Sequence, residues 1–207
     1  LFVILQVDIW ILGIFLPEGD VAIYGVAGRL VILVTMPLLV TNLVVPPFIA
    51  ELYAKKRRPE LETLLRDTTT LAAVPTLLGL AGFVLFGRTI LHYFFGEFYV
   101  QGAPVLIVLS LSRAINVMAG SCGNLLMMTG YQKVMMIVSL ISGILTIVGG
   151  LIFVPVYGVL GMASVATTTL IFQNVAMLLL AKEYTGVWTH AYMTREQIGT
   201  MLRKYTT

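Results

Sequence analysis

The stretch from Val134 to Ala181, VMMIVSLISGILTIVGGLIFVPVYGVLGMASVATTTLIFQNVAMLLLA, decides the fold class. It contains no Asp, Glu, Lys, Arg or His. A membrane hydrocarbon core about 30 Å thick needs roughly 20 apolar residues to be crossed as a helix. The stretch therefore predicts two membrane-spanning helices, and its centre, Pro155-Val156-Tyr157-Gly158, is typical of the turn between them.

The rest of the chain has the same character. Its 207 residues are 58% hydrophobic and 11% charged, with a mean hydropathy of +0.96, outside the usual range of a soluble domain. Only helices and closed barrels satisfy the backbone in lipid, and long continuous apolar runs favour helices. We predict an all-α, polytopic membrane protein. Its six-helix transmembrane bundle covers residues 1–181, and a polar cytoplasmic tail covers 182–207, with spans at 1–16, 21–50, 68–86, 103–128, 134–154 and 159–181.

Within the second span, Pro37 predicts a kink, and Pro46-Pro47 predict a bend or break. Because the first apolar run begins at Leu1, we expect the chain to be a fragment that lacks an amino-terminal part. The single cysteine, Cys122, has small neighbours and is interpreted as a buried packing residue.

Lysine and arginine predict the orientation, because they concentrate in cytoplasmic loops. If the loop after the second span is inside, ten of the 13 basic residues are cytoplasmic. The carboxyl terminus is then cytoplasmic too. The excess of positive charge, +3, is interpreted as basic loops beside anionic lipid, not as a nucleic-acid surface.

Three charged residues fall inside predicted spans: Asp8, Arg29 and Arg113. Asp8 and Arg29 lie at nearly the same depth in adjacent antiparallel spans, so we expect their side chains to meet. A charge at the bilayer centre costs about 2.5–3.5 kcal/mol on insertion scales, so such residues face one another or a water-filled cavity. Two interpretations stay open: a purely structural Asp8–Arg29 pair, or a cavity in which the arginines hold an anionic substrate and Asp8 binds a coupling cation.

Asn116 lies three residues after Arg113, on the same helix face, and joins the candidate substrate site. Such amides more often join helices than bind substrate, as do the other amides in spans, Asn42, Asn124, Gln173 and Asn174. The sequence has no phosphate-binding Gly-Lys-Ser/Thr loop, no His-Glu-x-x-His motif and no paired cysteines. We therefore expect no catalytic residues, no metal, no cofactor and no enzymatic activity.

Several stretches resemble the carboxyl-terminal half of oligosaccharide-lipid flippases, the polysaccharide-export branch of the MATE-like multidrug/oligosaccharidyl-lipid/polysaccharide superfamily. They are Asp8 to Gly13, Val21 to Leu30, Pro46 to Ala54, Leu91 to Gly96 with Tyr99, Gly120 to Gly130, and Pro155 to Ala163. The resemblance covers nearly all of the chain up to the tail, although each stretch is a packing or turn pattern of moderate specificity.

The resemblance implies a protein of two six-helix bundles around a central cavity, of which this chain is the second. It implies that the bundles alternate access to move a polyprenyl-phosphate-linked oligosaccharide across the bacterial inner membrane. An ion gradient would drive the step, Arg29 and Arg113 would contact the phosphate, and Asp8 would be the coupling site. Expected partners are membrane lipids, the amino-terminal half, and a polysaccharide polymerase or glycosyltransferase. The alternatives are an ion-coupled drug or metabolite exporter of the same fold, and a non-transporting scaffold for polysaccharide assembly.

Overall fold

The computed structural model describes residues 7–191, which contain helices and no strand. This confirms an all-α protein. The helices are α1 Val7–Phe15, α2 Glu18–Val34, α3 Met36–Ala54, α4 Arg58–Phe95, a 3-10 helix Glu97–Gly102, α5 Ala103–Ala119, α6 Cys122–Met128 and α7 Gln132–Thr185. Four segments are long and apolar enough to cross a membrane: Met36–Ala54, Arg58–Phe95, Glu97–Ala119 and Gln132–Thr185.

The predicted count of six helices is not confirmed, because residues 7–191 form seven α-helices. The second predicted span is divided between α2 and α3, and the fourth is divided between α5 and α6. The fifth and sixth form the single element α7, which has a non-helical residue, Gly158 (φ 59°, ψ −140°), inside it.

The division between α2 and α3 falls at Thr35, two residues before Pro37. A proline disfavours the helical conformation in the residue before it and cannot donate a backbone hydrogen bond. A break just before Pro37 is the result. The Thr35 hydroxyl and amide both donate to the carbonyl of Ile32, at 2.8 and 3.0 Å, which closes the end of α2.

Of the bend or break predicted at Pro46-Pro47, the break does not occur, since α3 continues through both prolines to Ala54. Pro46 has no N–H to donate to the carbonyl of Asn42, four residues earlier. The side-chain amide of Asn124 in α6 donates to that carbonyl at 3.2 Å instead. Tertiary contact therefore supplies the bond that the sequence removes, and the helix survives.

Helix α4 is longer than the predicted third span at both ends. Its 38 residues extend about 57 Å at 1.5 Å per residue. Leu61 and Leu65, in what the sequence indicates is a charged surface segment, are fully buried. Their burial draws that segment into the bundle as the first turns of α4.

Helix α7 folds back on itself at Gly158. The hydroxyl of Thr146 donates to that of Thr169 at 2.9 Å, and Gln173 reaches Ser139 at 3.4 Å, so residues before and after Gly158 run antiparallel in contact. Gly149 allows the two arms to approach closely, because a Cβ there would lie 2.7 Å from Val165. The reversal lies at the predicted Pro155–Gly158 turn.

The buried apolar residues form two main clusters at opposite ends of the bundle. One joins α1, α2, the later part of α4, α5 and the middle of α7. The other joins α3, the start of α4, α6 and both ends of α7. We call the second the basic end, since Lys55, Lys56 and Arg57 lie there between α3 and α4, and Arg58 begins α4. A small third cluster contains Leu38, Ala72, Ala73 and Val117.

The predicted tail, 182–207, is partly built into the bundle. Lys182–Thr185 belong to α7, and the non-helical segment Gly186 to Ala191, which we call the strap, packs at the basic end. Val187 and Thr189 are buried at 1% and 0% exposure. The beginning of the first predicted span, residues 1–6, and the remainder of the tail, 192–207, lie outside the described residues.

Candidate functional site

Asp8 and Tyr24 form the centre of the candidate site. Asp8 is in the first turn of α1, and Tyr24 is in α2, where its side chain is 4% exposed. The Tyr24 hydroxyl donates to Asp8 Oδ2 at 2.8 Å, while the backbone N–H of Ile9 donates to Oδ1 at 3.1 Å. Two donors thus hold the carboxylate in one orientation beside a buried phenol.

Arg113, on α5, completes this group. Its guanidinium lies near enough to interact electrostatically with both Asp8 and Tyr24. It makes no ion pair with Asp8 within 4.0 Å, so the two opposite charges attract one another across a gap. Three helices, α1, α2 and α5, therefore bring one acid, one phenol and one guanidinium together inside the apolar bundle.

Arg29 does not meet Asp8, which corrects the expectation from depth. Residues on a helix are separated by about 100°, so Arg29, five positions after Tyr24, lies about 140° around α2 from it. The buried face of α2 carries Tyr24, Ala27 and Val31, whereas Arg29 is exposed. Arg29 makes no ion pair with any residue in the described range 7–191.

Asn116 links helices. Its amide donates to Asn174 Oδ1 in α7 at 2.8 Å, and the Asn174 amide donates to the carbonyl of Leu170 at 2.8 Å. Asn174 is buried, so this bond fixes α5 against the second arm of α7. Asn116 Nδ2 is thereby engaged with protein, although the residue remains partly exposed one helical turn from Arg113.

A second polar group joins α3 to the start of α6. Asn42 Oδ1 accepts hydrogen bonds from the Ser121 hydroxyl at 2.6 Å and from the Asn124 amide at 3.1 Å. Together with the bond from Asn124 to the Asn42 carbonyl, this gives three contacts between α3 and the start of α6. We call these three residues the polar triad.

Sequence reasoning missed the role of Tyr24, whose only signal was its spacing from Asp8 across a short turn. It also missed the contacts of the strap, which are described below. Among residues 7–191, no three His, Cys, Asp or Glu side chains come together as a metal site. The Asp8 carboxylate, beside Tyr24 and Arg113, can bind a small cation or exchange a proton.

Comparisons with known proteins agree with a membrane transporter. The family model MatE matches residues 1–152 of the 207. No curated protein and no solved structure matches the chain. The family match covers well over half of the chain, including the helices that carry Asp8, Tyr24, Arg29 and Arg113, and it agrees with the apolar helices described above. The chain therefore belongs to the MatE family of membrane transporters.

Proposed function

We propose that this chain forms one bundle of a transporter that flips a polyprenyl-phosphate-linked oligosaccharide across the inner membrane by alternating access. The observation that carries the proposal is Arg29. It lies about 16 Å from the start of α2, within an apolar helix, exposed and without an acidic partner among residues 7–191. A guanidinium so placed requires water or an anion, because lipid would cost several kcal/mol.

The surface around Arg29 suits a large ligand. Gly25 and Gly28 precede it on α2, and a Cβ at either would meet nothing within 4 Å. The face is therefore open. The forked guanidinium donors of Arg29 fit a phosphate better than they fit a neutral or cationic compound. In this proposal Arg29 contacts the phosphate of the lipid-linked substrate in the central cavity.

Asp8 supplies the coupling step in this proposal. A carboxylate held by Tyr24 and near Arg113 changes its interactions when it takes up a cation or proton, since its attraction for Arg113 then weakens. That change connects α1 with α2 and α5, the helix that also carries Asn116. Ion binding thus acts on the same helices that carry the substrate contacts.

An ion-coupled exporter of small compounds is the second candidate, and the Asp8 carboxylate is the observation that favours it. A cationic compound bound directly at Asp8 would make Asp8, not Arg29, the residue that determines the substrate. We further propose a cytoplasmic carboxyl terminus, which the distribution of lysine and arginine supports. We also propose a polysaccharide polymerase or glycosyltransferase as partner, which the resemblance supports.

The test replaces Arg29 with Ala and, separately, with Lys, in cells that require outward delivery of a polyprenyl-linked saccharide. Arg88, another exposed arginine with no ion pair among residues 7–191, is the matched control, as Arg88→Ala. Membrane abundance is measured for each variant. We expect Arg29→Ala to reduce delivery at least about tenfold, the factor for 1.4 kcal/mol of lost ligand binding, with partial recovery in Arg29→Lys.

Two results would contradict the flippase proposal. One is normal saccharide delivery by Arg29→Ala at normal abundance. The other is a loss of resistance to a cationic compound in Asp8→Asn, together with unchanged saccharide delivery. The second result would place the exporter ahead.

A further inference from the structure

The strap completes the end of helix α5. A helix leaves its last four carbonyls without intrahelical donors, and such groups are costly inside a membrane protein. The N–H of Gly120 donates to the carbonyls of Asn116 and Val117, both at 3.2 Å. The other two carbonyls take donors from the strap: the N–H of Ala191 bonds Met118 O at 2.9 Å, and the Thr189 hydroxyl bonds Ala119 O at 2.7 Å.

The other side of the strap is bound to α4. The N–H of Trp188 donates to Glu62 Oε2 at 3.2 Å, and the His190 ring lies 3.0 Å from Arg66 Nη2. The strap therefore bridges α4 and the end of α5, although in sequence it follows α7. It spans the discontinuity between α5 and α6.

The discontinuity has the properties of a hinge. Gly120 has φ 73° and ψ −153°, a conformation that glycine adopts readily and other residues rarely do. Ser121 follows it, and the polar triad ties α6 to α3. Helices α3 and α6 each follow a break, at Thr35 and at Gly120, and both pack in the second cluster against the start of α4 and the ends of α7.

The strap is tightly packed at Gly120, but one buried hydroxyl beside it lacks a partner within the described part of the chain, and open space lies at its start. The Thr69 hydroxyl, beside Gly120, is buried and has no hydrogen-bond partner among residues 7–191. A cavity of about 400 Å³ lies between α4 and the start of the strap, lined by Arg58, Pro59, Glu62, Thr63, Arg66, Asp67 and Gly186. An unsatisfied buried hydroxyl and open space at the start of the strap lower the free energy needed to displace it.

We propose that the strap is a releasable latch. When docked, it caps α5 and holds α4 against the α5–α6 break, which keeps the basic end closed. When released, it uncouples α4 from that break, so that α5 can change its angle about Gly120 relative to α6 and the second cluster. This inference goes beyond the proposed substrate and rests only on transport by a conformational change.

His190 gives the latch a dependence on pH. Partial burial and the neighbouring Arg66 lower the pKa of His190, although Glu62 acts in the opposite direction. A lowered histidine pKa means that the docked strap favours the neutral ring, so docking is stable above the ordinary pKa of 6.5 and weakens as the pH falls below it. Protonation also removes the lone pair that faces the Arg66 donor.

The first experiment locks the strap. In a Cys122→Ser background, Glu62→Cys and Trp188→Cys are joined by a short, reducible bifunctional thiol reagent, with each single cysteine as a control. We expect the reagent to stop transport by the pair and reduction to restore it, with no effect on the single variants. Unchanged transport by the cross-linked pair would show a permanent strut and overturn the latch.

The second experiment needs no transport assay, so it stands even if the proposed substrate is wrong. Cys122, buried two residues after Gly120, reports opening of the break through its rate of alkylation in membranes. Thr189→Val removes the bond to Ala119 O, and Thr168→Val, which removes only a bond on the exposed surface of α7, is the control. We expect about fivefold faster labelling in Thr189→Val, the factor for one net hydrogen bond. Equal labelling rates in the unaltered protein, Thr189→Val and Thr168→Val would overturn the proposal.

Discussion

The strongest test of the α5–α6 junction is Gly120→Ala. The substitution acts twice. Alanine is strained at φ 73°, ψ −153°, which costs about 1–3 kcal/mol. A Cβ would also lie against Thr69 Oγ1 and 2.5 Å from the backbone oxygen of Thr189, and such overpacking costs about 1–3 kcal/mol more. We therefore expect Gly120→Ala to lower the free energy of unfolding by about 2–6 kcal/mol.

A matched control separates the two effects. Gly130 also has a positive φ, 91°, but a Cβ there would meet nothing within 4 Å, so Gly130→Ala carries strain without a clash. The measurement is the free energy of unfolding of each purified protein in one detergent, by denaturant titration. Thr69→Ala in the Gly120→Ala background should recover part of the loss, since it removes one of the two clashing groups. If Gly120→Ala costs no more than Gly130→Ala, the docking of the strap against Gly120 is refuted.

Two further outcomes are expected. Asn124→Leu should lower the free energy of unfolding by about 1–3 kcal/mol, because it leaves the Asn42 carbonyl without a donor. In a Pro46→Ala background, where residue 46 regains a backbone N–H, the same change should cost less. An equal cost in the two backgrounds would contradict the explanation. Alkylation of Cys122 should accelerate as the pH falls below 6.5, after correction for thiolate ionisation with denatured protein, and His190→Gln should remove that acceleration.

The sequence predicts the helical class well, because it follows from counting apolar residues along the chain. It does not predict which side of a helix faces inward. Counting along the chain places Asp8 and Arg29 at similar depth, but the face of α2 that packs inward is the one with Tyr24. That choice depends on the neighbours α1 and α5, which an isolated span does not reveal.

Helix breaks show the same difference between what local sequence predicts and what contacts with other helices decide. Pro37 has a local effect, and the structure breaks beside it. Pro46 has an equal local effect, but Asn124, distant in sequence, compensates for the missing donor. The strap is the extreme case: Thr189 and Ala191 belong to a polar tail by composition, and they acquire a role only because α5 ends at Gly120 with open carbonyls. Such long-range pairings need the assembled bundle.

The absence of charged residues from Val134 to Ala181 has a consequence for energy transduction. A membrane potential does work only on charge, about 2.3 kcal/mol per elementary charge for 100 mV. The hairpin of α7 between those residues therefore experiences no direct electrical force, whereas α1, α2 and α5 carry Asp8, Arg29 and Arg113. Asp8 and Arg113 carry opposite charges, so a common movement of the two transfers little net charge, whereas a movement of Arg29 transfers one positive charge. A change in potential therefore favours rearrangements that move charged residues such as Arg29 and is indifferent to those confined to this hairpin.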